Sequence, residues 1–133
     1  MTTQDLTARA QQVQHFQPMT PVQAEQRIVE ANDLLEALVE AQNDANDRRY
    51  EAEANYLLKR NSRMAELGKE GLGATFARAQ AEVEAAEAYR SWLDTKAEYH
   101  HLEGLSQALR TRIYSWLNLN KSVQAAYNSY RGP

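Results

Sequence analysis

The amino-acid sequence predicts an all-α fold: a long antiparallel helical hairpin that oligomerises through coiled-coil-like packing. Three observations predict it. Hydrophobic residues make up 43% of the 133-residue chain, but 21 of them are alanine, which favours helices and buries little area. Two Ile and six Val are too few for a sheet. Five Gly and three Pro leave long stretches in which apolar residues recur by alternating steps of three and four.

Taken in order, residues 1–19 are Thr- and Gln-rich without a sustained period and read as a flexible N-terminal arm. One hairpin domain follows over residues 20–133. Thr20 suits the N-cap, Pro21 the first helical position and Gln23 the capping-box position. Helix 1 is expected over about 21–67, with a seam of Ala24, Ile28, Ala31, Leu35, Leu38, Gln42, Ala45, Arg49, Ala52 and Tyr56. Its middle, QNDANDRRY (42–50), is poor in large apolar groups. LGKEGLG (67–73) is the strong internal turn signal, giving a glycine-rich turn over 68–74. Helix 2 is expected over about 75–130, with Phe76, Ala79, Val83, Ala86, Leu93, Ala97, Leu105, Ala108, Arg112 or Ile113, Trp116, Val123 and Tyr127 inward. Gly104 marks a kink, a break or a close helix contact. Folding about residue 70 sets residue i opposite 140 − i, which leaves the chain beyond about 119 overhanging. Alanine-rich rods of this kind leave apolar surface half covered, so self-association is expected.

Net charge is −3, yet LRTRIYSWLNLNKSVQAAYNSYRGP (109–133) holds four basic residues, four aromatics and no acid. The folding rule offers Arg110 and Arg112 a pairing role against Glu25, Glu30, Asp33, Glu36 and Glu40 at the start of helix 1. It does not extend to Lys121 or Arg131 in the overhang. Leu109, Ile113, Trp116, Leu117, Val123, Tyr127 and Tyr130 are assigned to the oligomer interface, where Tyr and Trp bury large area and keep a polar handle.

A second basic cluster lies in YLLKRNSRMAELGK (56–69), where Lys59, Arg60, Arg63 and Lys69 face one acid, Glu66. Arg48 and Arg49 precede it, and the folding rule brings Arg90 opposite that pair. One reading is a solvated face, with cations complementing a helix C-terminus. The other is a phosphate-tracking surface on which an interleaved Tyr56 stacks an unpaired base. Catalysis has little support. There is no Cys, so thiol catalysis and thiolate metal sites are excluded. His100, His101 and Glu103 are the one metal-like cluster, but adjacent helical histidines point about 100° apart. No phosphate loop, HExxH or nucleophile elbow is present. No cofactor or metal is expected, nor an enzyme. No apolar run reaches the length of a membrane span and the N-terminus lacks a signal-peptide pattern, so the expected location is the cytoplasm, the host's if the chain is phage-encoded.

Residues 21–130 resemble the UvsY-type recombination mediators of tailed phages: a long Ala-rich first helix, a basic YLLKRNSRMAELG stretch before a Gly-bearing loop, and a second helix ending in LRTRIYSWL. The resemblance implies an oligomeric, non-enzymatic protein that binds single-stranded DNA and loads a RecA-like recombinase while displacing the single-strand-binding protein. Lys59 and Arg60 match that family's DNA-binding stretch, and Arg63 matches with altered spacing across Asn61-Ser62. The LRTRIYSWL region would correspond to its oligomerising part. The rival expectation is a phage structural or assembly hairpin acting only through protein–protein contacts. A secreted WXG-type hairpin fails at its defining position, because the turn reads LGKEGLG.

Overall fold

A computed structural model describes residues 1–15 and 20–130. The described residues are helical with no strand, in the order α1 (Thr3–His15), α2 (Pro21–Lys69), α3 (Ala74–Glu84) and α4 (Ala86–Tyr130). None of these helices is long and apolar enough to cross a membrane. The chain divides into two compact units, one of Met1–Gln42 with His101–Pro133 and one of Asn43–His100.

The expected flexible arm is corrected: Thr3–His15 is a helix. Thr2 and Asp5 form a reciprocal capping box, the Asp5 N–H donating to Thr2 Oγ1 at 3.1 Å and the Thr2 N–H to the Asp5 carboxylate at 3.2 Å. These bonds hold the Asp5 carboxyl below its ordinary pKa. Behind the cap, Leu6 and Ala10 are spaced by one turn and both are buried. Two buried apolar residues one turn apart outweigh a polar composition. Phe16 to Met19 of that arm lie outside the described residues.

The first unit assembles α1, the start of α2 and the end of α4. α2 begins as its cap predicts, with the Gln23 N–H donating to Thr20 Oγ1 at 3.2 Å. Leu6, Ala10, Ala24, Ala31, Leu34, Leu38, Leu102, Leu109, Ile113 and Trp116 are buried. The Thr7 hydroxyl lies 2.9 Å from His101 Nε2, tying α1 to α4.

The second unit is an antiparallel hairpin. α2 ends in a Schellman turn: the Leu72 N–H donates to the Leu67 carbonyl and the Gly71 N–H to the Gly68 carbonyl, both at 3.1 Å. Gly71 takes φ +94, the left-handed conformation this motif requires at that position. The register is later than a fold about residue 70 predicts. Arg48 meets Glu98 and Arg63 meets Glu84, a shift of about two turns. Arg90 is therefore not opposite Arg48 and Arg49.

Two details of helix 2 are corrected. It is interrupted at Ala85, with φ −93 and ψ 8, not at Gly104, through which α4 runs unbroken. The Ala85 N–H still donates to Ala81 at 2.9 Å and its carbonyl accepts from Tyr89 at 3.0 Å, so the ladder bridges the irregularity. The buried face also differs. Ala77, Ala81, Ala85 and Ala88 are inward, while the expected Phe76, Ala79, Val83, Ala86, Leu93 and Ala97 are exposed. Alanine lets the two backbones approach closely, and the large residues take the outer side.

Glycine substitutions separate the two roles. Gly71→Ala is expected to lower unfolding free energy by roughly 1–2 kcal/mol, the cost of a left-handed Cβ. A Cβ at Gly104 meets nothing within 4 Å, so Gly104→Ala is expected to raise it by about 1 kcal/mol. Urea titration followed by circular dichroism measures both.

Candidate nucleic-acid interface on the basic hairpin

All eight residues expected to meet nucleic acid, Arg48, Arg49, Tyr56, Lys59, Arg60, Arg63, Lys69 and Arg90, lie in the second unit. The structure assigns them three different roles.

Tyr56 is a core residue. It is 7% exposed and packs with Ala85, Ala88, Leu57 and Trp92. Its ring stacks on Trp92 at 5.8 Å between centroids with 20° between planes, and meets Tyr89 at 5.2 Å. Tyr89 and Trp92 close the triangle edge-to-face at 5.9 Å. The expected base-stacking role is thus corrected, because the ring faces are already occupied by other rings. These contacts supply the bulk that the alanines around them lack.

Three cations are held by acids or rings. Arg48 Nη2 donates to Glu98 Oε1 at 3.0 Å. Arg63 is clasped twice, its Nε donating to Glu84 at 2.6 Å and its Nη1 to Glu66 at 3.1 Å. The Glu84 hydrogen bond, then that of Glu66, raises the guanidinium pKa further, and the same bond lowers the Glu84 carboxyl. The Arg49 guanidinium lies 4.5 Å from the Tyr99 ring centre and 5.0 Å from that of Tyr50.

The remaining cations are less engaged. The Arg60 guanidinium lies 5.5 Å from the Tyr56 ring centre and donates to its neighbour Asn61. Lys59, Lys69 and Arg90 are exposed and form no ion pair among the described residues. Lys59 borders a shallow cleft of about 380 Å³ with Ser62, Arg63, Glu66 and Glu84. Residues 43–100 carry nine Lys/Arg and eleven Asp/Glu, a net charge of −2. Attraction for a polyphosphate is therefore local to these side chains.

The expected oligomer interface divides as well. Leu109, Ile113 and Trp116 are buried within the chain, so they are corrected from subunit contacts to core. Leu117, Val123, Tyr127 and Tyr130 are exposed. The Arg112 guanidinium lies 5.6 Å over Trp116. Arg110 is exposed and makes no ion pair with the acids of α2 among the described residues. Arg131 is outside the described residues. His101 is engaged by Thr7 and His100 lies edge-on to Tyr99 at 5.3 Å. No group of three His, Cys, Asp or Glu among the described residues is placed to hold a metal ion.

Sequence reasoning found only the second half of the seam that organises α4, from Ile113 onward. Leu102, Ser106, Leu109, Ile113 and Trp116 step by four and three, and all are buried. The same steps continue to Asn120, Val123, Tyr127 and Tyr130. Running the period backwards from Ile113 and Trp116 would have found the first half, in place of Leu105 and Ala108. Comparison with family models, with curated proteins and with solved structures finds no match for this chain.

Two outcomes test this geometry. Tyr56→Ala is expected to destabilise the protein by about 3 kcal/mol, as loss of a buried aromatic does, visible as a lower urea midpoint. The depressed Glu84 pKa adds stability above the unfolded carboxyl value of about 4.3, and that stability is lost as pH falls through the folded value. Wild type therefore loses more midpoint between neutral pH and strong acid than Glu84→Gln does.

Proposed function

We propose that this chain is a non-catalytic, self-assembling helical module that works through protein–protein contacts. One observation carries the reading. The α4 seam is covered as far as Trp116, 2% exposed, and then becomes steadily more exposed, with Val123 at 39%, Tyr127 at 59% and Tyr130 at 91%. In heptad terms Ile113, Asn120 and Tyr127 occupy a, and Leu109, Trp116, Val123 and Tyr130 occupy d. An isolated Asn at a is a device for register and subunit number. The Asn120 carboxamide oxygen is enclosed with no hydrogen-bond partner among the described residues. Leu119, Gln124 and Ala126 at the flanking e and g positions are uncharged, so a neighbouring copy meets no like charge.

Light scattering tests this. Mass above the 15.1 kDa monomer, rising with concentration, is expected, and Val123→Asp/Tyr127→Asp should lower it with helicity intact. A monomer at tens of micromolar sinks the proposal.

A second reading has its own support. Lys59, Lys69 and Arg90 have no acidic partner among the described residues and lie in the unit that also carries Arg60, the residue types that neutralise a phosphate backbone. On this reading the assembly binds single-stranded DNA, and its partners are a RecA-like recombinase and the single-strand-binding protein. A labelled oligo(dT) titration across salt decides it. Binding that weakens steeply with salt, and is lost in Lys59→Ala/Arg60→Ala/Lys69→Ala/Arg90→Ala, supports it; no binding at low salt removes it.

A further inference from the structure

The outer face of α3 and of the first turns of α4 is a second seam. Phe76, Ala79, Val83, Ala86, Arg90, Leu93 and Ala97 follow steps of three and four, and every one is exposed. Phe76 is 73% and Val83 71% exposed, although the helix already buries its opposite, alanine face. Phe76, Val83, Arg90 and Ala97 fall at a; Ala79, Ala86 and Leu93 fall at d.

We infer that this face pairs antiparallel with the same face of a second copy, about a two-fold axis beside residues 84–85. The inference rests on the self-assembly reading but uses a different surface. In an antiparallel pair each a residue faces a d residue. One register then satisfies every layer: Phe76 faces Leu93 of the second copy, Val83 faces its Ala86, and Arg90 faces its Ala79, with the reciprocal contacts generated by symmetry. Large groups meet at the two ends and smaller ones near the centre. Ala79 leaves room for the long Arg90 side chain, which has no ion pair in its own chain among the described residues. About one turn along lies Glu82 of the second copy. Glu82 is exposed and holds Arg78 at 3.2 Å, leaving lone pairs for a second guanidinium.

Charge selects this orientation. A parallel pair would set Arg90 against Arg90 and Glu82 against Glu87, both like-charge contacts. The antiparallel register sets Gln80 beside Glu87 and Glu82 beside Tyr89 of the second copy, with no repulsive pair. A surface that closes on itself so completely fits a copy of the same chain.

The chain has no cysteine, so introduced thiols report the contact directly. Phe76→Cys/Leu93→Cys, mildly oxidised in the full-length protein, should give a covalent dimer on a non-reducing gel. Leu93→Cys alone should not, because its two copies lie 17 positions out of register, about 25 Å apart. Adding Val83→Asp should abolish the cross-link with helicity unchanged. No dimer from the double variant, equal dimer from Leu93→Cys alone, or indifference to Val83→Asp overturns the inference. If any of these occurs while mass still rises with concentration in a Val123-dependent way, only this interface falls. A monomeric wild type removes both.

Discussion

Alanine facing inward is the constraint on which the rest of the second unit depends. Ala77, Ala81, Ala85 and Ala88 line the contact side, so the helices approach closely, but each methyl removes little apolar area from water. The deficit is met at one place, where Tyr56, Tyr89 and Trp92 gather into a three-ring cluster. Small residues inward also force the large ones outward. Phe76, Val83 and Leu93 are exposed because the alanine contact leaves no inner position wide enough for them. The surplus of apolar surface is therefore a consequence of how the hairpin closes.

The cations follow the same economy. In a hairpin whose backbones are close, long side chains at the seam margins cannot enter, so they lie along the edges and cover what is there. Arg49 roofs Tyr99, Arg60 roofs Tyr56 and Lys96 lies 5.8 Å from the Trp92 ring centre. Such contacts use the apolar stem and the ring quadrupole together. A guanidinium on a ring keeps most of its hydrogen-bonding edge in water and remains able to meet a phosphate. One clasped by two carboxylates, as Arg63 is, has its donors engaged. The structure thereby ranks the basic residues of one sequence stretch, which composition alone treats as equals.

Much of α2 was legible. Its cap at Thr20 is found where it was expected, and its seam from Ala24 to Tyr56 is followed closely, with Leu34 buried and the expected Leu35 half-buried. The errors arise where a choice depended on another helix. α3 and α4 are apolar on two faces, and periodicity cannot tell which one the partner takes; the larger residues suggested the wrong one. Register failed for a related reason. Glycine identifies a turn, but the hydrogen bonds that end α2 extend it to Lys69 and delay the reversal. α1 was hidden by Thr and Gln, although Thr2, Asp5, Leu6, Ala10 and Val13 carry the cap and the period. The buried Tyr56 shows the limit for the site: an aromatic between Arg49 and Lys59 reads as a stacking platform until the rings that already cover it are known.

The two uncovered seams differ in kind, and that difference has a geometric consequence. On α4 the Asn120 layer favours like meeting like, a parallel pairing in which Asn faces Asn. On α3 and early α4 the Arg90 layer penalises like meeting like and favours an antiparallel two-fold. If both proposed contacts form, each uses the same surface on both partners, so each by itself stops at a dimer. Together they cannot stop there, since a chain paired through one seam still presents the other. Successive two-folds then close into a dihedral assembly if their axes intersect, or extend as a filament if they do not. In such an assembly a chain this lean in buried area would gain its missing contacts by repetition, and its exposed cations would be repeated with them, so weak contacts to an extended ligand would add along it.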